Sequence, residues 1–128
     1  MEEISVFFKW LLLIYLIILG FLSLNPWLLP DSKLAMGFIA WDLLDHAAAY
    51  GLLSVLMTIA FRQQCRPLMM TSIVILTSSL IGVLFEYGQY WFTSTRQFSF
   101  YDAVANVFGA VLGMAVLWFF LLYRKRWT

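Results

Sequence analysis

Residues 68–92 read LMMTSIVILTSSLIGVLFEYGQYWF. Until Glu86 the run carries no charge. A hydrocarbon core of about 30 Å takes about 20 helical residues, so this stretch is long enough to cross a bilayer. Three other runs have the same character, roughly 4–24, 42–61 and 102–123. Backbone groups in lipid must bond within their own segment, so each run is expected to be a helix. The connections are then 25–41, 62–67 and 93–101. The last two are short, which makes helices 2, 3 and 4 antiparallel neighbours. The expected architecture is all-α: one domain over 1–128, an integral membrane bundle of four transmembrane helices.

Composition agrees. The 128 residues are 63% hydrophobic and 12% charged, where a soluble domain carries about 25% charge. A net charge of +1 without a basic stripe argues against a nucleic-acid partner. The single Cys65 excludes an internal disulfide and a CxxC site. The first run opens with Glu2 and Glu3 and has only Lys9 before its core. Its apolar stretch exceeds that of a signal peptide and no A-x-A site follows, so an uncleaved membrane helix is expected.

Six of the eight basic residues, Lys9, Arg62, Arg66, Arg124, Lys125 and Arg126, fall on one side of a four-span arrangement. Lys33 and Arg96 fall on the other. This asymmetry predicts that both termini face the cytoplasm. Trp10 and Trp127 then lie near the inner interface, and Trp27, Trp41 and Trp91 near the outer one.

Three polar patterns interrupt the oily runs: Asp42-x-x-Asp45-His46-x-x-x-Tyr50, Glu86-x-x-Gln89 with Arg96 a short loop beyond, and Asp102-x-x-x-Asn106. With the helix directions above, all three belong to the outer ends of their helices. At a rise of 1.5 Å per residue, Glu86 lies about 9 Å below Phe92, and His46 and Asn106 about 6 Å below their helix starts. One outer-leaflet layer can hold them all. Faces agree, since residues three or four apart share one: Asp42, His46, Ala49 and Tyr50; Ser78, Gly82, Glu86 and Gln89; Asp102, Asn106, Gly109 and Gly113. Gly109-x-x-x-Gly113 is a close-packing motif, so the polar stripes should point inward with it. Helix 1 has no such stripe and is expected to be a lipid-facing support.

An ionisable residue inside a span is a functional candidate by default. His46 beside Asp42 and Asp45 suits an acid or base oriented by a carboxylate. The structural counterpart is an N-terminal cluster, with Asp42 capping helix 2. Glu86 with Gln89 suits proton transfer, because burial can raise a carboxyl pKa; a structural pair with Arg96 or His46 explains them equally. Arg96 fits a phosphate or carboxylate in two-pronged fashion, or anchors the interface or pairs with Asp102. Asp102 can cap helix 4, and Asn106 can bond across helices. One histidine and several carboxylates could hold Mg²⁺ or Ca²⁺, but a zinc site usually has more nitrogen or sulfur ligands, so no metal is expected. No P-loop, GxSxG or HExxH pattern is present, and no cofactor is marked.

WDLLDHAAAYGLL at 41–53 and FEYGQYWFTSTRQFSFYDAVANVFGAVLG at 85–113 resemble the VanZ-like family of small bacterial membrane proteins. Asp42, His46, Tyr50, Glu86, Gln89, Arg96, Ser99, Asp102, Asn106 and Gly109 fit that pattern position by position. The chain departs from it at Leu43, where a Lys often stands, and at Ser94-Thr95, where Pro-Gly is often found; one cation of the pattern is therefore missing. The resemblance implies the bacterial cytoplasmic (inner) membrane and an association with resistance to glycopeptide antibiotics such as teicoplanin.

The expected function is binding of an amphiphilic anionic molecule in the polar layer: a lipid head group, a lipid-linked envelope precursor or a lipidated antibiotic. Arg96 would hold the anion, and His46, Glu86, Gln89 and Asp102, with Asp42, Asp45, Tyr50 and Asn106, would line the site. One alternative is a membrane-embedded hydrolase or transferase with His46 and Glu86 as its acid–base pair. Another is an accessory subunit whose polar groups only lock the bundle. Transport is less favoured, because the inner halves of helices 2–4 lack a chain of ionisable groups.

Overall fold

The computed structural model describes residues 2–25, 36–61, 66–92 and 98–126, and their side chains apart from those at 2, 4, 36–42, 125 and 126. The described chain is four helices: α1 Glu2–Leu24, α2 Met36–Phe61, α3 Pro67–Phe92 and α4 Phe100–Arg126. Each is long and apolar enough to cross a membrane, and together they form an all-α bundle, the fold of a multi-pass membrane protein. Large apolar side chains such as Phe7, Leu76, Leu84, Phe108 and Phe119 face outward. In water such a surface would aggregate; in lipid it is the solvent-matched face.

Local chemistry sets the helix ends. Pro67 opens α3, where its missing N–H would have had no helical partner anyway. Asn25 closes α1, its backbone N–H and its side-chain amide both donating to the Phe21 carbonyl at 3.1 and 3.3 Å. Ser99 caps α4: its Oγ accepts the Asp102 N–H at 3.3 Å. This corrects the expectation that Asp102 is the cap. Asp102 sits in the first turn, and among the described residues its carboxylate does not cap the helix.

α2 starts at Met36, six residues before the expected boundary. Residues 37–41 (GFIAW) contain no proline and only one glycine, so nothing stops the helix from growing backward past Asp42. Asp42 is therefore an interior residue of α2 and not its N-cap. His46 therefore lies ten residues into α2, about 15 Å along its axis from Met36.

The helices run up and down, and two packing faces dominate. α1 lies against α2 and α3, and α4 lies against α2 and α3; α2 against α4 is the largest interface. α1 is largely exposed, as a lipid-facing support should be. It is nevertheless tied to α2: Ser5 Oγ donates to the Ala60 carbonyl at 3.1 Å and Tyr15 Oη to that of Ala49 at 2.8 Å. At the same end as Ser5, Lys9 Nζ lies 5.8 Å from the centre of the Phe61 ring.

α2 and α4 run parallel and touch through backbone. A Cβ on Gly109 would strike the carbonyl oxygen of Ala47 and come within 2.6 Å of its Cα. A Cβ on Gly113 would strike the Gly51 carbonyl and come within 2.7 Å of Ser54 Oγ. The Gly109-x-x-x-Gly113 motif therefore packs inward, against Ala47-x-x-x-Gly51. Removing both side-chain layers brings polar backbone within reach of the neighbouring helix. Ser54, fully buried, uses this: its hydroxyl lies 2.8 Å from the Gly51 carbonyl and 3.1 Å from that of Ala110. At the opposite end from Asp102, Trp118 Nε1 donates to Thr71 Oγ1 at 2.9 Å and ties α4 to α3.

Candidate functional site

The polar patterns meet at the end of the bundle where α3 finishes and α4 begins. On α3 the buried residues are Met70, Val74, Ser78, Gly82, Glu86 and Gln89. These lie three or four apart, so one stripe faces the bundle along the whole helix. Its apolar part, with hydroxyls, builds the core; its last two turns carry Glu86 and Gln89. Glu86 is 1% exposed and Gln89 4%.

α2 brings His46 to the same level. Its Nδ1 lies 3.0 Å from Asn106 Oδ1 on α4 and 4.0 Å from Glu86 Oε1 on α3. The first distance is a hydrogen bond: with a proton on Nδ1, the ring donates to the amide oxygen. Asn106 is 1% exposed and fits there because α3 offers Gly82. A Cβ on Gly82 would lie 2.8 Å from Asn106 Nδ2, so any side chain at this position would displace the amide. Asn106 Nδ2 has no hydrogen-bond partner among the described residues.

The loop end of α4 completes the group. The Ser99 N–H reaches Glu86 Oε2 at 3.5 Å, while Oε1 is the oxygen facing His46. One residue therefore couples the carboxylate to the start of α4: Ser99 donates its N–H to Glu86 and accepts from Asp102 through Oγ. A ring nitrogen of His46 and one oxygen from each of Glu86 and Asp102 lie within 4.8 Å of one another. Their exposures are graded. Glu86 is closed off, whereas His46 and Asp102 are partly exposed, so the cluster can be approached from their side.

The other expected site residues divide. Tyr50, 2% exposed, is part of the apolar core cluster one turn below His46. Asp45 is exposed and does not belong to the triad. Arg96 and the side chain of Asp42 lie outside the described residues. Two features had weaker sequence signals. Ser99-x-x-Asp102 is a capping-box pattern with Asp in the acidic position. Ala47-x-x-x-Gly51 is the small-residue counterpart of Gly109-x-x-x-Gly113, hidden in an alanine run.

Two apolar grooves flank the cluster. One, of about 310 Å³, runs down the α2–α4 seam and is lined by Leu44, Ala48, Val55, Gly109, Leu112 and Val116, among others. The second, of about 440 Å³, lies between α3 and the first turns of α4, with Val83, Phe100, Val104 and Phe108 in its walls. Comparison with protein-family models, with curated proteins and with solved structures found no match for this chain.

Proposed function

We propose that this is a VanZ-like protein of the bacterial cytoplasmic membrane that binds the head group of an amphiphilic anionic molecule at the extracytoplasmic end of its bundle. The observation that carries this is the convergence of His46, Glu86 and Asp102, from three different helices, within 4.8 Å. Polar groups at this depth cost free energy, about 2.5–3.5 kcal/mol for an acid at a helix centre and less near its ends. A bundle that needed only packing could replace them with apolar side chains. The flanking grooves give an acyl chain a place to lie while its head group meets the cluster. The basic-residue asymmetry, six of eight on one side, supports an outer-leaflet position for the cluster. The ligand class is a lipid head group, a lipid-linked envelope precursor or a lipidated glycopeptide. Arg96, the nearest cation in the sequence, is assigned to the anion.

Mass spectrometry of molecules co-purified with wild type and with Arg96→Ala is the test. A discrete anionic amphiphile on wild type, lost from the variant, supports the proposal. The same lipid mixture on both rejects it.

A second reading has its own observation. The His46 ring and the Glu86 carboxyl lie side by side, Nδ1 to Oε1 at 4.0 Å, so an imidazole and a carboxyl group can address one substrate atom. In a hydrolase or transferase, Glu86→Gln would cut turnover by about 10²–10⁴ while ligand retention persists. In a pure binder, it would change retention and leave no reaction to lose.

A further inference from the structure

We propose that His46, Glu86 and Asp102 form a binding site for a divalent metal ion of borderline hardness, of the Mn²⁺, Fe²⁺ or Zn²⁺ class. The inference does not depend on the amphiphile proposal and stands or falls without any lipid.

The donor set is one imidazole nitrogen and two carboxylate oxygens. Imidazole suits zinc and iron, and carboxylate suits manganese and magnesium, so the mixture selects ions that accept both. The three ligand atoms come from α2, α3 and α4 and lie within 4.8 Å of one another. Around an ion with bonds of about 2.0–2.2 Å, such atoms sit about 3–4 Å apart. Closing the difference takes small side-chain rotations, and His46 and Asp102, both partly exposed, have room for them. Two carboxylates balance the charge of the ion, which lowers the cost of holding all three charges in an apolar setting.

The surroundings are those of a ligand sphere. A metal-bound histidine usually donates its other N–H to an oxygen that fixes the ring, and ligating carboxylates are themselves hydrogen-bonded. Here Nδ1 meets Asn106 Oδ1 at 3.0 Å and is also the nitrogen 4.0 Å from Glu86 Oε1; with the proton on Nδ1, the lone pair for a metal is on Nε2, and the ring must turn to present it. Glu86 Oε2 takes the Ser99 N–H at 3.5 Å, and Oε1 faces His46 at 4.0 Å.

An independent sign is the Asn106 amide. It is 1% exposed, its Oδ1 meets the His46 ring and its Nδ2 lies over Gly82, yet Nδ2 has no partner among the described residues. A buried donor of this kind is destabilising if left unmet. Three protein ligands leave an ion with open positions, which water or an anionic oxygen fills. Such an oxygen beside the amide is an acceptor for that donor. An open position would also let an acidic cluster receive an anionic group, with the ion between them.

The test uses the full chain in detergent, purified without a polyhistidine tag and stripped with a chelator. Zn²⁺ and Mn²⁺ are titrated separately, bound metal per chain is measured by elemental analysis, and the imidazole is followed by ¹⁵N NMR. The chain has one histidine, so the imidazole signal is unambiguous. Expected are saturation at one ion per chain and a shift of the signal by Zn²⁺ with broadening by Mn²⁺. Asp102→Asn and Glu86→Gln should each weaken binding by at least about tenfold, and Glu3→Gln, at the other end of the bundle, should leave it unchanged. Should Glu86→Gln fail to fold, Asp102→Asn and the wild-type NMR still decide. An imidazole signal that ignores saturating Zn²⁺, or equal binding by wild type and Asp102→Asn, overturns the site.

Discussion

Asn106 Oδ1 lies 3.0 Å from His46 Nδ1, across sixty residues of chain. That contact requires Gly82 on a third helix, whose missing side chain leaves the space that the amide fills. The polar cluster and the small-residue packing are thus one construction. Asn106→Ala should lower stability by about 0.6–1.7 kcal/mol, the range for interhelical polar pairs in membranes. It should also release the ring: ¹⁵N spectra of the single histidine should change from one dominant tautomer to a mixture. An unchanged spectrum would mean that Asn106 does not orient His46.

The glycines of the bundle should respond unequally to alanine. Ala usually stabilises a helix by about 1 kcal/mol over Gly. At Gly109 the new methyl meets the backbone of Ala47, which cannot rotate away. Gly109→Ala should therefore be a net loss despite the propensity gain, with an overpacking cost of about 1–3 kcal/mol. At Gly88 the methyl meets, among the described residues, only Leu24 Cδ2, at 3.0 Å, the mobile end of a side chain. Gly88→Ala should be neutral or stabilising. Thermal unfolding of the two variants in one detergent decides the order. Gly113→Leu should behave like Gly109→Ala, only worse.

Ser99→Ala should remove the cap of α4 and cost about 1 kcal/mol. Its backbone N–H, and so its contact with Glu86, stays. Hydrogen exchange should accelerate at the Asp102 amide, which loses its acceptor, and should not change in the middle of α4. Ser99→Asp restores a capping oxygen and should recover most of the protection.

The topology proposal makes a directional prediction. A cytoplasm-only reporter fused after Thr128 should be active. With Cys65 replaced by Ser, a cysteine at position 94 should react with an impermeant thiol reagent added from outside. Labelling only after the cells are broken open would place the polar cluster on the cytoplasmic side.

Hydrophobic runs and the lipid requirement for internal backbone bonding were sufficient to determine four helices from sequence alone. They also gave the inward faces of α3 and α4, because a stripe at a spacing of three or four is a property of one helix. The first turn of α2 was not legible: GFIAW is compatible with either loop or helix, and only the continuous backbone hydrogen bonding past Asp42 decides. Nor was the identity of the capping residue, since Ser99 and Asp102 are both good caps and the choice depends on which oxygen meets which N–H. The convergence of polar patterns at one level followed from alternating helix direction. Which groups touch did not: that depends on relative rotation and separation of helices, set by Gly109 and Gly113 against Ala47 and Gly51. Tertiary packing therefore decided that His46, Glu86 and Asp102 form one cluster while Asp45, one residue away from His46, faces outward. A step of one residue turns a helix by about 100°, so adjacency in sequence and adjacency in the site are different facts.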